Sequence, residues 1–184
     1  DRGMPIDIAS PVRGSGWLVA NACCDPNSPH RNILLAANGG YVTPEMFALD
    51  LTRVVGGRLF EGAGTQNEDY FAYGEPIRAA TAGTVVSTVD GRPEVPPGES
   101  ASGNPTVTSA ADFAGNNVVI RIGPGTYAAY VHLQPGSVRV KRGQRVRSGQ
   151  VLGRLGNSGN TTAPHLHIGI QDGPDILTSN SLPL

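Results

Sequence analysis

The sequence is poor in lysine, cysteine and aromatic residues, and it has no long apolar run. Lys141 is the only lysine, and 14 basic residues against 15 acidic ones leave a formal net charge of −1. This near-neutral balance argues against a bulk attraction to nucleic acid or to anionic lipid. No stretch of about 18 apolar residues is present, so the sequence contains no predicted membrane span.

The two cysteines and the basic residues are both clustered. Cys23 and Cys24 are adjacent, where a disulfide would be strained and the spacing of a zinc knuckle is absent, so we expect a loop pair without chemistry. Basic residues are densest between positions 139 and 147, where they alternate with Val140 and Val146. No aromatic side chain interleaves them for stacking on bases, and we interpret this segment as the solvated face of a hairpin.

The sequence does contain many glycines (25) and prolines (15), which separate short β-rich runs. No segment of a dozen residues has a convincing 3.6-residue period, so we expect little helix. The chain is long enough for one domain with a real core. It therefore predicts a single, mostly β, antiparallel domain over residues 1–184, built as a sheet with a sandwich or barrel-like form. The runs that predict strands are 32–38, 45–54, 83–89, 116–122, 126–133, 144–156 and 165–171.

Three further expectations concern organisation. Residues 1–40 are expected to pack on the core as an N-terminal segment. The strands at 32–38 and 45–54 are expected to pair as a hairpin, which would bring positions near 30 towards positions near 50. Residues 90–115 are rich in Pro, Gly and Ser, and we expect a long loop that is mobile or forms a wall beside a groove and supplies no core.

The stretch APHLHIGI places two histidines one residue apart. On a strand His165 and His167 would share one face, while Leu166 and Ile168 would point to the other. Such a pair suits a metal site, and it also suits a solvent-facing position on a half-buried strand. The spacing alone leaves both interpretations open.

Three other residues could converge with this pair, namely His30, Asp50 and His132. Zinc hydrolases need three protein ligands and one open position for water. They also need a residue that takes a proton from that water and a donor for the developing oxyanion. The four histidines and one aspartate match this demand in number and type.

The segment YVHLQPGSVRVKRGQRVRSGQVLGRLGNSGNTTAPHLHIGI resembles the core of the M23 (lysostaphin- or LytM-type) zinc endopeptidases. EPIRAATAGTVVSTVDG is similar to their P-V-x-A-x-x-x-G-x-V strand pair, and the similarity runs from about Val12 to about Pro183. The resemblance implies a compact antiparallel β domain with an open groove, Zn²⁺ as cofactor and the peptides of bacterial peptidoglycan as substrate. It also implies an extracytoplasmic location, and with Asp1 as the first residue we expect that an export signal was removed.

One position departs from the family pattern. The family normally carries an H-x-x-x-D motif, whose His and Asp bind zinc together with the second His of HLH. MFALD occupies that place, so Asp50 is retained and Met46 stands where the His is expected. A thioether is a poor replacement for imidazole on zinc. Either the domain is a non-catalytic relative that binds cell wall or activates another wall hydrolase, or His30 supplies the missing ligand. We favour His30, because the layout resembles a subgroup that lacks the usual first His.

The resemblance then assigns the roles. Asp50, His167 and His30 would hold the zinc ion. His165 would accept the proton of the attacking water, and His132 would donate to the oxyanion or help to hold the water.

Two further residues are candidates for substrate binding. Asn117 opens a strand, where a purely structural role is expected equally, and Tyr73 lies in the aromatic loop 67–76, which in the family is near the groove. The hairpin at 140–156 also resembles biotinyl or lipoyl carrier domains. Those domains need an exposed lysine at a hairpin tip, a context that Lys141 lacks, so we set this interpretation aside.

Overall fold

The computed structural model describes residues 4–23, 25–99, 109 and 112–184. In this part of the chain all strand pairs are antiparallel, and the helical residues belong to short 3-10 turns, among them Pro29–Asn32 and Asn67–Asp69. The strands are β1 Trp17–Asn21, β2 Leu35–Ala37, β3 Gly40–Val42, β4 Leu49–Arg53, β5 Pro76–Arg78, β6 Gly83–Val89, β7 Asn116–Gly123, β8 Thr126–Leu133, β9 Arg145–Val146, β10 Val151–Arg154, β11 Leu166–Gln171 and β12 Ser181–Leu182. The predicted mostly β, antiparallel fold is confirmed. Neither 3-10 turn, nor any other helix among these residues, has the length and apolarity to cross a membrane.

The main sheet has the strand order β1-β4-β11-β8-β7-β6-β9, and β12 pairs with the end of β11. Strand β11 lies in its interior, because β8 pairs along one side while β4 and β12 share the other. Two small sheets, β5-β10 and β2-β3, stand apart from it. His167, the last residue of the HLH segment, is therefore paired with a neighbouring strand on both sides.

The alternation of side chains on β11 separates packing from chemistry. Leu166, Ile168 and Ile170 are fully buried in the main hydrophobic core. Burial of each such side chain stabilises the fold by about 1.5–3 kcal/mol. This core lies between the main sheet and the β5-β10 pair, which contributes Ile77 and Leu152.

The other face of the sheet carries a smaller cluster. Its buried members are Ala114, Val119, Ala129 and Val131. His167 is the cross-strand partner of Val131 and follows Leu166, so it points to this second face. The candidate site therefore occupies the face of the sheet that has the smaller core.

The predicted hairpin between 32–38 and 45–54 is wrong. Strand β2 pairs with β3 instead, and β4 pairs with β1 and β11. Between Ala37 and Gly40 stand Asn38 and Gly39, both with positive φ (53° and 78°). An Asn-Gly pair in this conformation closes a two-residue hairpin turn at once, so β2 reverses long before it can reach β4.

The long segment 90–115 is described only in part, because residues 100–108, 110 and 111 lie outside the described residues, as does Cys24 of the cysteine pair. Within the described part, Val95 and Ala114 are buried, with 2% and 7% of their surface exposed. The expectation that this segment supplies no core side chain is wrong for these two positions.

In the N-terminal segment, Val12 is buried in the main core, and Ile6 and Trp17 pack against that core.

Candidate metal centre

Asp50 and His167 face each other across two neighbouring strands. They are directly opposed in the register of β4 and β11, and Nδ1 of His167 lies 3.0 Å from Oδ1 of Asp50. Both are buried, with 6% and 9% of their surface exposed. Side chains directly opposed on one sheet face have their Cβ atoms about 5 Å apart, so the register alone brings these two groups together.

His30 reaches this pair from a 3-10 turn rather than from a strand. Its ring is buried, Nδ1 lies 3.1 Å from the carbonyl oxygen of Ala48, and Nε2 lies 3.1 Å from Oδ2 of Asp50. The ligand atoms of His30, Asp50 and His167 all lie within 4.8 Å of one another. Two imidazoles and a carboxylate, buried and convergent, are a donor set that suits zinc, so these residues fit the metal that the resemblance implies.

Asp50 is the centre of the polar cluster. Oδ1 faces His167 and, at 3.5 Å, Nε2 of His165, while Oδ2 faces His30 and accepts a 2.8 Å hydrogen bond from the side-chain amide of Asn21. Burial raises the pKa of Asp50, but hydrogen bonds from His167 and His30 outweigh it and hold the pKa far below its usual value. The carboxylate is therefore ionised throughout the physiological range.

His30 has the complementary shift. Burial lowers its pKa, but the hydrogen bond and charge of Asp50, the carbonyl of Ala48 and the charge of Glu45 outweigh burial and raise the pKa above its usual value. Both ring nitrogens face acceptors, a carbonyl at Nδ1 and a carboxylate at Nε2, which is the pattern of an imidazolium. Without metal, His30 and Asp50 form a buried ion pair.

A β-bulge turns His132 towards the site. Asn116 pairs with Leu133 and Val118 pairs with Tyr130, which leaves Val131 and His132 of β8 opposite a single residue of β7. His132 has φ = 66°, the left-handed conformation that costs a non-glycine residue about 1–2 kcal/mol. With regular alternation His132 would point with Tyr130 into the main core. The bulge places it on the other face, where its ring centroid is 4.8 Å from that of His165.

His132 and His165 are held in the same way through Nδ1. Nδ1 of His132 lies 2.8 Å from the carbonyl of Ser158, and Nδ1 of His165 lies 2.8 Å from the carbonyl of Ala163. Because a carbonyl only accepts, each neutral ring carries its hydrogen on Nδ1 and presents Nε2 as an acceptor. Burial, followed by the nearby charges of His165 and His167, lowers the pKa of His132 well below its usual value.

All four histidines and Asp50 open onto one cavity of about 340 Å³. Its other walls come from β1, from the turn before β4, from the loop 59–70 and from residues 160–164, which precede β11. The lining residues are Ala20, Asn21, Pro29, His30, Ile33, Glu45, Asp50, Thr52, Leu59, Tyr70, His132, Asn160, Thr161, Thr162, Ala163, Pro164, His165 and His167. Each of the five residues predicted for metal binding and catalysis thus lines the same cavity.

The two substrate-binding candidates are placed elsewhere. Asn117 donates its amide to the carbonyl of Gly115 and lines a separate groove beside Val119. The hydroxyl of Tyr73 donates to Glu94 at 2.6 Å, and the residue of that loop that lines the site cavity is Tyr70. Met46 is not among the residues that line it.

Several residues at the site carried no recognised signal in the sequence. Asn21 ends β1, a strand that was not predicted, and the apolar run WLVA before it was the available sign. Thr161 is buried, donates to Asn157 at 2.8 Å and lies 3.2 Å from Nδ1 of His165. Its position in GNSGNTTAP marks it only as a turn residue. Glu45 also lines the cavity, and its position directly before Met46 was the available sign.

Comparisons with known proteins identify a family and several relatives of this chain. The sequence profile of peptidase family M23 matches residues 66–177, more than half of the chain. The peptidoglycan DD-endopeptidase ShyA of Vibrio cholerae is 43% identical over 68 residues, which make up 37% of this chain and 15% of ShyA. The cell division protein DipM of Caulobacter vibrioides is 32% identical over 116 residues, which make up 63% of this chain and 16% of DipM. The chain thus spans about a sixth of the length of these curated relatives.

A solved structure supports the fold over almost the whole chain. The catalytic domain of the prophage-encoded M23 protein EnpA from Enterococcus faecalis, in a mutant form, superposes with a TM-score of 0.54 at 19% identity. The superposition covers 95% of this chain and 93% of that one. The profile match includes His132, His165 and His167, whereas His30 and Asp50 lie before it. On the profile match, the chain belongs to peptidase family M23.

Proposed function

We propose that this chain is a zinc endopeptidase domain that hydrolyses peptide bonds of bacterial peptidoglycan outside the cytoplasm. The observation that carries the proposal is the convergence of His30 on Asp50 and His167 in the cavity that His132 and His165 also line. Three protein ligands with an open cavity beside them is the arrangement of catalytic zinc sites. The name of ShyA, a peptidoglycan DD-endopeptidase, associates one relative with peptidoglycan, which supports the substrate and the location.

The chain's own residues divide the work as follows. His30, Asp50 and His167 would hold zinc, which supplies Lewis acidity and makes water a better nucleophile when it is bound. His165 presents Nε2 into the cavity as an acceptor, and it takes the proton of the attacking water. His132 is held as a neutral ring with Nε2 as an acceptor, so of its two suggested roles we favour orienting the water over donating to the oxyanion.

The second candidate is a non-catalytic domain that binds cell wall or activates another wall hydrolase. It is favoured by Met46, which stands at the position of a usual zinc ligand of the family. The distinction lies in whether His30 is a ligand or only the ionic partner of Asp50.

The test measures zinc and hydrolysis on the same samples. The metal-free protein is titrated with Zn²⁺ against a chelator, and the release of soluble fragments from purified peptidoglycan is followed for the wild type, His30→Ala and His165→Ala. We expect His30→Ala to lose tight zinc binding and hydrolysis together. His165→Ala should keep zinc and lose rate by roughly 10²–10⁴-fold. Arg31→Ala, an exposed change on the same 3-10 turn, is the matched control and should behave as the wild type.

One outcome would reject the proposed function and another would reject the ligand assignment. If the wild type binds no zinc at micromolar metal, the non-catalytic alternative replaces it. If His30→Ala keeps full zinc and full activity, His30 is not the third ligand.

A further inference from the structure

The cavity contains one acidic side chain that takes no direct part in the proposed chemistry. Glu45 is half-buried and lines the cavity together with His30 and Asp50. Among the described residues, no Lys, Arg or His nitrogen lies within 4.0 Å of its carboxylate. Each oxygen of Asp50, in contrast, has two side-chain nitrogen atoms within 3.5 Å.

Glu45 is mounted on a rigid turn. Its carbonyl accepts from the amide of Ala48 at 2.9 Å, and the carbonyl of Ala48 accepts from Nδ1 of His30 at 3.1 Å. The amide of Phe47, within the same turn, donates to the hydroxyl of Ser181 at 3.0 Å. The turn that positions His30 therefore also fixes the origin of the Glu45 side chain at the cavity wall.

The charge of the cavity is not balanced by its own basic residues. None of the lining residues is Lys or Arg. The carboxylate of Glu45 therefore lies on the cavity wall without a Lys or Arg partner in the part of the chain that the structure describes. A carboxylate placed in this way favours a cationic ligand over a neutral or anionic one.

We propose that Glu45 forms a subsite that binds an ammonium group of the peptide substrate beside the bond to be cleaved. This inference rests on the proposed function for the reaction, and it adds the chemical class of the substrate. Glu45 contacts the substrate away from the reacting atoms, so it determines specificity and takes no part in proton transfer.

The experiment compares two forms of one probe peptide, a short D-alanine-containing peptide with a single lysine, either free or acetylated at Nζ. The wild type should favour the free form. Glu45→Gln keeps the shape and removes the charge, so KM for the free form should rise about threefold to tenfold, with kcat nearly unchanged. KM for the acetylated form should not rise. Glu68→Gln, which removes an exposed acid outside the cavity, is the matched control and should retain the preference.

The competing explanation is that Glu45 only balances the metal and His30. In that case Glu45→Gln would change zinc affinity and would affect both peptides alike, which would overturn the subsite. Equal treatment of the two peptides by the wild type would also overturn it.

Failure of the proposed function remains distinguishable from failure of the subsite. If neither peptide is cleaved, the binding of both to the zinc-loaded and metal-free wild type is measured by calorimetry. A preference for the free form that Glu45→Gln abolishes would still support the subsite. No preference, or no binding at millimolar peptide, would reject it.

Discussion

Nε2 of His30 lies 3.1 Å from Oδ2 of Asp50, while Nδ1 of the same ring lies 3.1 Å from the carbonyl of Ala48. A ring that donates from both nitrogens is protonated, and the raised pKa of His30 agrees with this state. A metal can bind to His30 only after the proton at Nε2 has left. The metal-free site is therefore held together by the proton that the metal must displace.

Zinc affinity should therefore rise with pH. Below the raised pKa of His30, each pH unit should increase affinity by about tenfold for the one displaced proton, and the rise should level off above that pKa. Chelator competition between pH 5.5 and 8.5 measures the affinity, and calorimetry in buffers of different ionisation enthalpy measures the proton release. Arg31→Ala should reproduce the slope. An affinity that does not vary over this range would contradict the assignment of His30 as an imidazolium ligand precursor.

The same ion pair predicts a window of stability for the metal-free protein. The lowered pKa of Asp50 contributes stability that is present above about 3.8 and lost as pH falls through the folded-state pKa. The raised pKa of His30 contributes stability that is full below 6.5 and lost as pH rises through its folded-state value. Urea unfolding of chelator-treated wild type and His30→Gln should thus differ most between pH 3.8 and 6.5, with the difference shrinking on the alkaline side. A difference that grows above pH 7 would be inconsistent with the pair.

Tyr130 supplies a test of the core that is independent of metal. Its side chain is fully buried, its hydroxyl accepts a 2.8 Å hydrogen bond from the amide of Ala80, and burial raises its pKa to about 12. Stability from this neutral phenol is full below pH 10 and is lost as pH rises from 10 through 12. Tyr130→Phe should cost about 1–3 kcal/mol at neutral pH, because it leaves the amide of Ala80 unpaired.

The dependence of the free energy of unfolding on pH above 10 separates this effect from ordinary loss of packing. Between pH 10 and 12 the free energy of unfolding of the wild type should fall about 2–3 kcal/mol more than that of Tyr130→Phe. Denaturant unfolding at several pH values measures both quantities. Parallel curves for the two proteins would show that Tyr130 ionises equally in the folded and unfolded states.

The bulge at His132 predicts an inverted order of two substitutions. At a regular strand position glycine is less stable than alanine by about 0.5–1 kcal/mol, and we expect that result for Ala129→Gly on the same strand. At φ = 66° alanine is strained and glycine is not, so His132→Gly should be at least as stable as His132→Ala. Thermal unfolding of the metal-free variants checks the order. If His132→Gly is the less stable by the usual margin, the left-handed conformation at this position is not maintained.

The sequence allowed the central strands and the residue types of the site to be predicted, because both depend on local patterns. Strands β6, β7, β8 and β11 lie between strong turn signals and alternate visibly. The pairing of β4 depends on contacts remote in sequence, which periodicity does not encode. His30 was predicted as a ligand, yet through a hairpin that does not exist, since a 3-10 turn brings it to Asp50.

Two features of the site could not be predicted from the sequence because they depend on β-bulges. The orientation of His132 depends on one extra residue in β8, and a single-residue bulge reverses the face on which a side chain lies. The contact of Asn21 with Asp50 depends on a second bulge, between Val19 and Asn21 of β1. Alternation predicts the faces of a strand only where its pairing is regular.

His30 and Asp50 lie outside residues 66–177, and this affects the choice of fragment boundaries for experiments. A fragment limited to those residues would keep His132, His165 and His167. It would therefore appear to contain the whole site if only these sequence motifs were considered. It would lack two of the three candidate ligands and also β4, which covers one side of β11 at His167. The exposed edge of β11 would invite self-association, and inactivity of such a fragment would carry no information about the intact domain. Fragments should begin before Trp17, the first residue of β1.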